Sequence, residues 1–325
     1  MKRAVTAIAL AFCLGISAPA ALTAQRDRSP TTPSAAPRTP WGDPDLQGVF
    51  SNEHEIGVPM ERPERFAGRT LDSITPAELA DFARELNESR QRRFSDNAAF
   101  AGLSPQRFGL KPTRPWLIVD PPDGKIPPLT ALGEQRRRAY AERVARVPAA
   151  AQDSNLWYRC ISIGVPRSMM PMEDGAAYRI VQSPGYVAIQ YEMMHEARVI
   201  PVDGRRHLGP AIGMYMSDAR GHWDGDTLVV ETTNFKGEFQ MTSAAGKELR
   251  IIERFKPEAS GSLEWAVTID DPTGWTRPWT FAMPLERVAE DQGPLENACH
   301  EGNYTLRHIL SAARAEEQQE SRPSR

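Results

Sequence analysis

The densest group of chemically competent side chains lies between Tyr178 and Gly204, where Glu192, His195, Glu196 and Arg198 fall within seven residues. A carboxylate near an arginine can act as a general base, because the guanidinium holds it ionised and can also orient a carbonyl or anionic group of a ligand. The same two residue types can equally form a structural ion pair between Glu196 and Arg198 at the mouth of a sheet. An adjacent arginine keeps a base weak, so Glu192, farther from Arg198, is the preferred base and Glu196 the alternative. A second cluster, Asn297 to Tyr304, supplies the proton donor. Glu301 and Asn303 read there as caps of a final helix, whereas His300 is not explained that way and is assigned the donor role. Arg198, Arg159 and Arg277 would stabilise developing negative charge.

The parity of the first cluster depends on its backbone. In a strand, Ala188, Gln190 and Glu192 share one face and Val187, Ile189 and Tyr191 the other. The expectation is a polar face lining a cavity, with the apolar face packed beneath N-terminal helices. Carried on, the alternation groups Glu192, Met194, Glu196 and Arg198 and turns His195 away, unless a bulge at Met193-Met194 resets the register. A helix would instead gather Glu192, His195 and Glu196 as metal-type ligands. Val187, Ile189, Val199 and Ile200 favour strand, with Pro184 and Pro201 bracketing the run, so no metal is expected and a metal-dependent hydrolase is only an alternative. Gln190, Tyr191, His195 and Arg159 are expected ligand contacts. Trp275, Arg277 and Trp279 alternate onto one face, where they either stack a planar ligand around the arginine or belong to the core.

The elements that position these residues are legible from pattern. Thr75-Pro76-Ala77-Glu78 opens a helix over 76–92 with a capping box, and 130–147 and 303–315 read as two more. The arginines of the 130–147 helix read as a solvated face. Strands are expected at 46–51, 116–120, on both sides of the Ser183-Pro184-Gly185 turn, and at 227–233, 249–255, 263–269 and 275–283, with a hairpin turn at Trp223 to Asp226. With no helical crossover between them, such strands pair antiparallel and close most economically as a barrel.

The chain has 325 residues, 40% of them hydrophobic, with 39 basic and 42 acidic side chains for a formal charge of -3. That supports a sizeable core and argues against nucleic acid or an anionic membrane as partner. Residues 1–24 carry a short basic start, an apolar run and small residues, the pattern of a signal peptide cleaved after Ala20 or Ala24 and not of a membrane span. Residues 25–40 read as a flexible leader, 41–155 as a first strand plus a helical segment packed on the barrel, 156–315 as the barrel and its closing helix, and 316–325 as a disordered tail. The expected location is periplasmic or secreted. In such a compartment Cys160 and Cys299, the two cysteines left after cleavage, are expected to bridge, which would draw Arg159 and His300 together.

The segments RCISIGVPRSMMP (159–171), QSPGYVAIQYEMMHEARVIPVDG (182–204), GHWDGDTLVVETTNF (221–235), DPTGWTRPWT (271–280) and CHEGNY (299–304) together resemble a family of exported bacterial proteins. The strand region of that family is similar to lipocalin-like barrels. The resemblance implies export and an antiparallel lipocalin-like barrel with an N-terminal helical segment and a C-terminal helix, and it transfers no catalytic residue. No phosphate-binding glycine loop or Gly-x-Ser-x-Gly elbow occurs. The expectation is a mainly β protein with some α that binds a small organic molecule. Its chemistry would be cofactor-free acid/base catalysis of the lyase, isomerase or cyclase type, or else it would be a non-catalytic carrier of a hydrophobic or amphipathic ligand.

Overall fold

Ten strands pair into one antiparallel sheet in the computed structural model, which describes residues 37–95, 109–173, 175–236 and 243–321. The expected signal peptide lies outside these residues, as do most of the leader and the end of the tail. The strands are β1 (Gly48–Ser51), β2 (Ile118–Asp120), β3 (Ala177–Ser183), β4 (Tyr186–Tyr191) and β5 (Ala197–Pro201) in the first part of the chain. They continue with β6 (Asp218–Asp224), β7 (Thr227–Thr233), β8 (Arg250–Pro257), β9 (Leu263–Asp270) and β10 (Trp279–Val288). Their spatial order is β5-β4-β3-β1-β10-β9-β8-β7-β6, with β2 pairing the start of β10. β10 is the junction: β9 lies along one edge, and β2 and β1 occupy the other in turn.

The sheet is not closed into a barrel. Its two ends nevertheless meet at Gly221, where a Cβ would lie 2.8 Å from Val202 and 3.0 Å from Ile200. β5 and β6 therefore touch through side chains, and no ladder joins them among the described residues. The absence of a side chain at residue 221 is what allows the approach.

The inner face of the sheet is an apolar core, contrary to the expected polar-lined cavity. Leu263, Trp265, Val267 and Ile269 of β9 are buried in strict alternation, and on β4 Val187, Ile189 and Tyr191 point inward with them. Trp265 meets Phe281 edge to face at 5.7 Å between centroids. Tyr186, Ala188 and Gln190 of β4 are on the other, partly exposed face, as in an ordinary half-buried sheet.

Among the described residues three α-helices accompany the sheet. The first, α1 (Pro76–Ser95), starts with the reciprocal box that the sequence shows: Thr75 N–H donates to Glu78 Oε2 at 2.8 Å, and Glu78 N–H to Thr75 Oγ1 at 3.3 Å. Its Phe82 joins the core. The second, α2 (Ala131–Val144), is capped by Thr130, which accepts from Gly133 N–H at 3.0 Å. Gly133 lies so close to Gly274 that a Cβ would come within 2.2 Å of its carbonyl oxygen, and Arg136 donates to Thr273 Oγ1 at 2.8 Å. The arginines of α2 thus divide. Arg137 and Arg138 hold Glu134 at the surface, as a solvated face would, while Arg136 docks the helix. The third, α3 (Thr305–Glu320), runs five residues past the expected end into the segment read as a disordered tail.

The region after Leu156 is also less regular than its pattern suggests, because residues 156–176 and 202–217 are mostly turns and loops. The predicted bridge is present: Cys160 and Cys299 are joined, with Cα atoms 5.7 Å apart.

Candidate functional site

The chain does not run straight through the cluster that begins at Glu192. Tyr191 N–H donates to Glu196 O at 2.9 Å, so residues 192–195 form the connection of a hairpin between β4 and β5. Met194 and His195 both adopt left-handed backbone angles, with φ of 59° and 52°. The straight alternation expected through Arg198 is therefore broken by a tight turn at Met193-Met194, and the turn sends the four charged residues in four directions.

Arg198 turns into the core, where it forms a two-pronged pair with Glu253 of β8 and not with Glu196. Trp265 Nε1 donates to the same carboxylate at 3.1 Å. The Tyr191 hydroxyl lies beside this pair and interacts with the Arg198 guanidinium. Burial pushes the Tyr191 phenol well above its usual range. An arginine already neutralised and buried in this way cannot serve an incoming ligand without breaking its pair.

Glu196 turns toward the segment before β3 and accepts from Ile163 N–H at 3.2 Å, and burial raises its pKa above the ordinary carboxylate value. His195 is exposed, with Nδ1 3.3 Å from Asn297 O. His300 is exposed on a turn. The predicted catalytic group of Glu192, Glu196, Arg198 and His300 is not assembled at one place.

Glu192 of that group faces a cleft. The cleft, of about 560 Å³, lies at the end of the sheet where β1 and β4 finish, and His54, Glu53, Arg90, Glu173, Asn297 and Glu192 contribute its polar wall. Each is held by a nearby element. Glu192 exchanges bonds with Ala177 of β3, its N–H donating to the Ala177 carbonyl at 3.2 Å and its Oε2 accepting the Ala177 N–H at 3.3 Å. Arg90 reaches from α1 and grips Glu173 with Nη2 and Nε at 2.6 and 3.3 Å. Asn297 accepts from Met194 N–H at 3.4 Å. The turn Glu53–Glu55 follows β1 directly, and Asn52 at its start receives the Tyr178 hydroxyl at 3.0 Å.

Behind this wall Glu55 is buried. Its Oε1 accepts from the Thr113 N–H and hydroxyl at 2.9 and 2.8 Å, while its Oε2 has no partner, and burial raises its pKa. The run Asn52-Glu53-His54-Glu55, four polar residues directly after an apolar strand, is the signal of this wall in the sequence. Arg90 had no such signal, because its burial depends on α1 folding back over the end of the sheet.

The expected ligand contacts also separate. Trp275 and Trp279 are buried core residues, their rings 5.9 Å apart and inclined at 64°, which leaves no gap for a planar ligand. Arg277 points to the surface and pairs with both Asp120 oxygens at 3.0 Å. β10 begins only at Trp279, so the alternation assumed for residues 275–279 does not exist there. Tyr191 is core, and Gln190 lies on the outer face opposite Arg179 and Ala197. Arg159 lines a different cleft, described below, and His300 is not among the residues of that cleft.

No protein-family model matches the chain, and no curated protein proves similar to it. Among the described residues no three His, Cys, Asp or Glu side chains are grouped so as to hold a metal ion, and no helix is long and apolar enough to cross a membrane.

Proposed function

We propose that the protein binds a small polar organic molecule in the Glu192 cleft. The observation that carries this reading is the charge of the wall. Four carboxylates, those of Glu53, Glu173, Glu192 and Glu296, line a space of about 560 Å³ that Arg90 and His54 share, so acidic side chains outnumber basic ones on the described wall. Such a wall favours a ligand carrying an amine, a guanidine or several hydrogen-bond donors. The volume suits a molecule of metabolite size.

One observation favours catalysis over carriage: a carboxylate and an imidazole, Glu192 and His54, share the cleft. In that second reading Glu192 takes a proton and His54, in place of His300, returns it, without a cofactor.

Export is part of the same reading. It rests on the basic, apolar and small-residue succession of residues 1–24, on the Cys160–Cys299 bridge, and on the resemblance to exported proteins with lipocalin-like strand regions. The near approach of β5 to β6 agrees with a barrel-like ancestry of the sheet.

The test is a mass-spectrometric screen of amines, neutral polyols and carboxylic acids against the protein and its Glu192→Gln variant. Amines are expected to be retained by the parent and weakened at least tenfold in the variant. Retention of carboxylic acids in preference, or amine binding indifferent to Glu192→Gln, would sink the assignment. If a bound amine is also converted, and Glu192→Gln or His54→Gln stops turnover while the ligand still binds, the catalytic reading replaces the carrier.

A further inference from the structure

A second cleft, of about 530 Å³, opens where α2 ends, and its wall has the opposite character. Arg143 and Arg146 come from the end of α2, Arg159 from the segment preceding the disulfide, and Lys236 from the segment after β7. Among the described residues Asp153 is the one carboxylate on the wall, and its Oδ2 is engaged by the N–H groups of Ala149 and Ala150, both at 2.9 Å. Arg146, Arg159 and Lys236 have no ion-pair partner among the described residues. The helix dipole accounts for basic residues at the end of α2. It does not account for Arg159 and Lys236, which arrive from two unrelated segments of a chain whose formal charge is -3.

Three aromatic rings share the wall with these cations. Tyr140, Tyr158 and Tyr215 line it, with the Arg143 guanidinium 5.1 Å from the Tyr140 ring and the Lys236 ammonium 5.1 Å from the Tyr215 ring. Tyr158 and Tyr215 remain 43% and 37% exposed, more than is usual for rings with a packing role. The wall is also braced. Arg314 of α3 donates to Pro148 O and Ala149 O at 2.9 and 3.2 Å, fixing the 148–149 segment. Asn303 donates to Cys160 Sγ at 2.9 Å next to the bridge, and Lys236 N–H donates to Met214 O at 3.0 Å, which ties the Tyr215 turn to the lysine. Rings and cations held by a disulfide and by main-chain bonds need little reordering to receive a ligand.

We propose that this cleft binds a small aromatic anion, a single ring bearing a phosphate, sulfate or carboxylate group. The ring stacks on the tyrosines, and the anionic group is taken by Arg159 and Lys236 in charge-assisted hydrogen bonds. This site is independent of the Glu192 cleft, whose wall is acidic and would repel the same ligand.

The experiment is calorimetric titration of the disulfide-bonded protein with phenyl phosphate, inorganic phosphate and phenol in low salt. Phenyl phosphate is expected to bind at one site per chain, inorganic phosphate at least tenfold more weakly, and phenol without measurable heat. The double variant Arg159→Gln, Lys236→Gln is expected to bind phenyl phosphate at least tenfold more weakly with an unchanged circular-dichroism melt, whereas Arg138→Gln, a surface residue paired with Glu134, leaves it unaltered. Because neither Arg159 nor Lys236 is buried, a folding failure is not at issue. Absence of phenyl phosphate binding, equal affinity for phosphate alone, or full binding by the double variant would each overturn the proposal.

Discussion

Arg198 of β5 and Glu253 of β8 form a two-pronged ion pair inside the core, joining strands from opposite halves of the sheet. Burying two charges is costly, and their mutual attraction recovers that cost only while both are present. Arg198→Met alone is therefore expected to destabilise by about 3–5 kcal/mol, because Glu253 is left as an uncompensated buried charge. The double variant Arg198→Met, Glu253→Leu should recover most of the loss. Urea unfolding of the three proteins tests this, and additive losses would show that the pair does not behave as a unit.

The bridge between Cys160 and Cys299 closes a loop with a sequence separation of 139 residues. Its reduction is expected to cost about 2–5 kcal/mol and to shift the denaturant midpoint accordingly. Titration of the denatured, unreduced chain should find one free thiol, that of Cys13, and none once residues 1–24 have been removed. Three titratable thiols would contradict the pairing.

Two carboxylates should shape the acid side of the stability curve in opposite senses. Arg69, then the Thr75 N–H, hold Glu78 down to about 2, below its ordinary value of 4.5. Its contribution is present above 4.5 and lost as the pH falls through about 2, so the gap between the parent and Glu78→Gln should narrow toward pH 2. Glu55 is the reverse case, because burial raises its pKa. Its protonated form is favoured in the folded state, so its contribution is full below 4.5 and is lost as the pH rises through the raised folded value. Glu55→Gln is expected to flatten the profile above pH 4.5. Denaturation midpoints across this range read both effects, and parallel curves for parent and variants would refute them.

The segment 275–279 separates packing from surface charge. Trp279→Ala is expected to cost about 3–5 kcal/mol by opening a cavity in the core. Arg277→Gln, which breaks a pair with Asp120 that is half exposed on both sides, should cost at most about 1 kcal/mol. Similar losses from both substitutions would mean that Arg277 has a role beyond its ion pair.

The strands and helices were legible where local chemistry decides them. Thr75 and Glu78 specify the start of α1 between themselves, and the alternation of Leu263, Trp265, Val267 and Ile269 names the buried face of β9 without further information. The Cys160–Cys299 bridge followed from compartment and number. What sequence did not show depends on contacts between distant segments. Parity along 186–198 failed because Met194 and His195 adopt left-handed angles that no residue type there advertises. The interior face of β4 is the one its own apolar residues Val187, Ile189 and Tyr191 name, and the expected polar lining inverted that ordinary pattern. The partner of Arg198 is 55 residues away on β8, and nothing in the spacing of Glu192, Glu196 and Arg198 points to it. Likewise Arg159 and Lys236 line one cleft only because the segment before Cys160 and the segment after β7 converge on it.

The position of β10 fixes an order of events during synthesis. β1 leaves the ribosome early, yet its register partners are Glu286 to Val288, near the end of the chain. Until those residues emerge, β5-β4-β3-β1 and β9-β8-β7-β6 are two unjoined fragments, each with a bare edge where β10 will lie. The ladders that join the two halves are therefore expected to form only once the last strand has emerged, late in elongation.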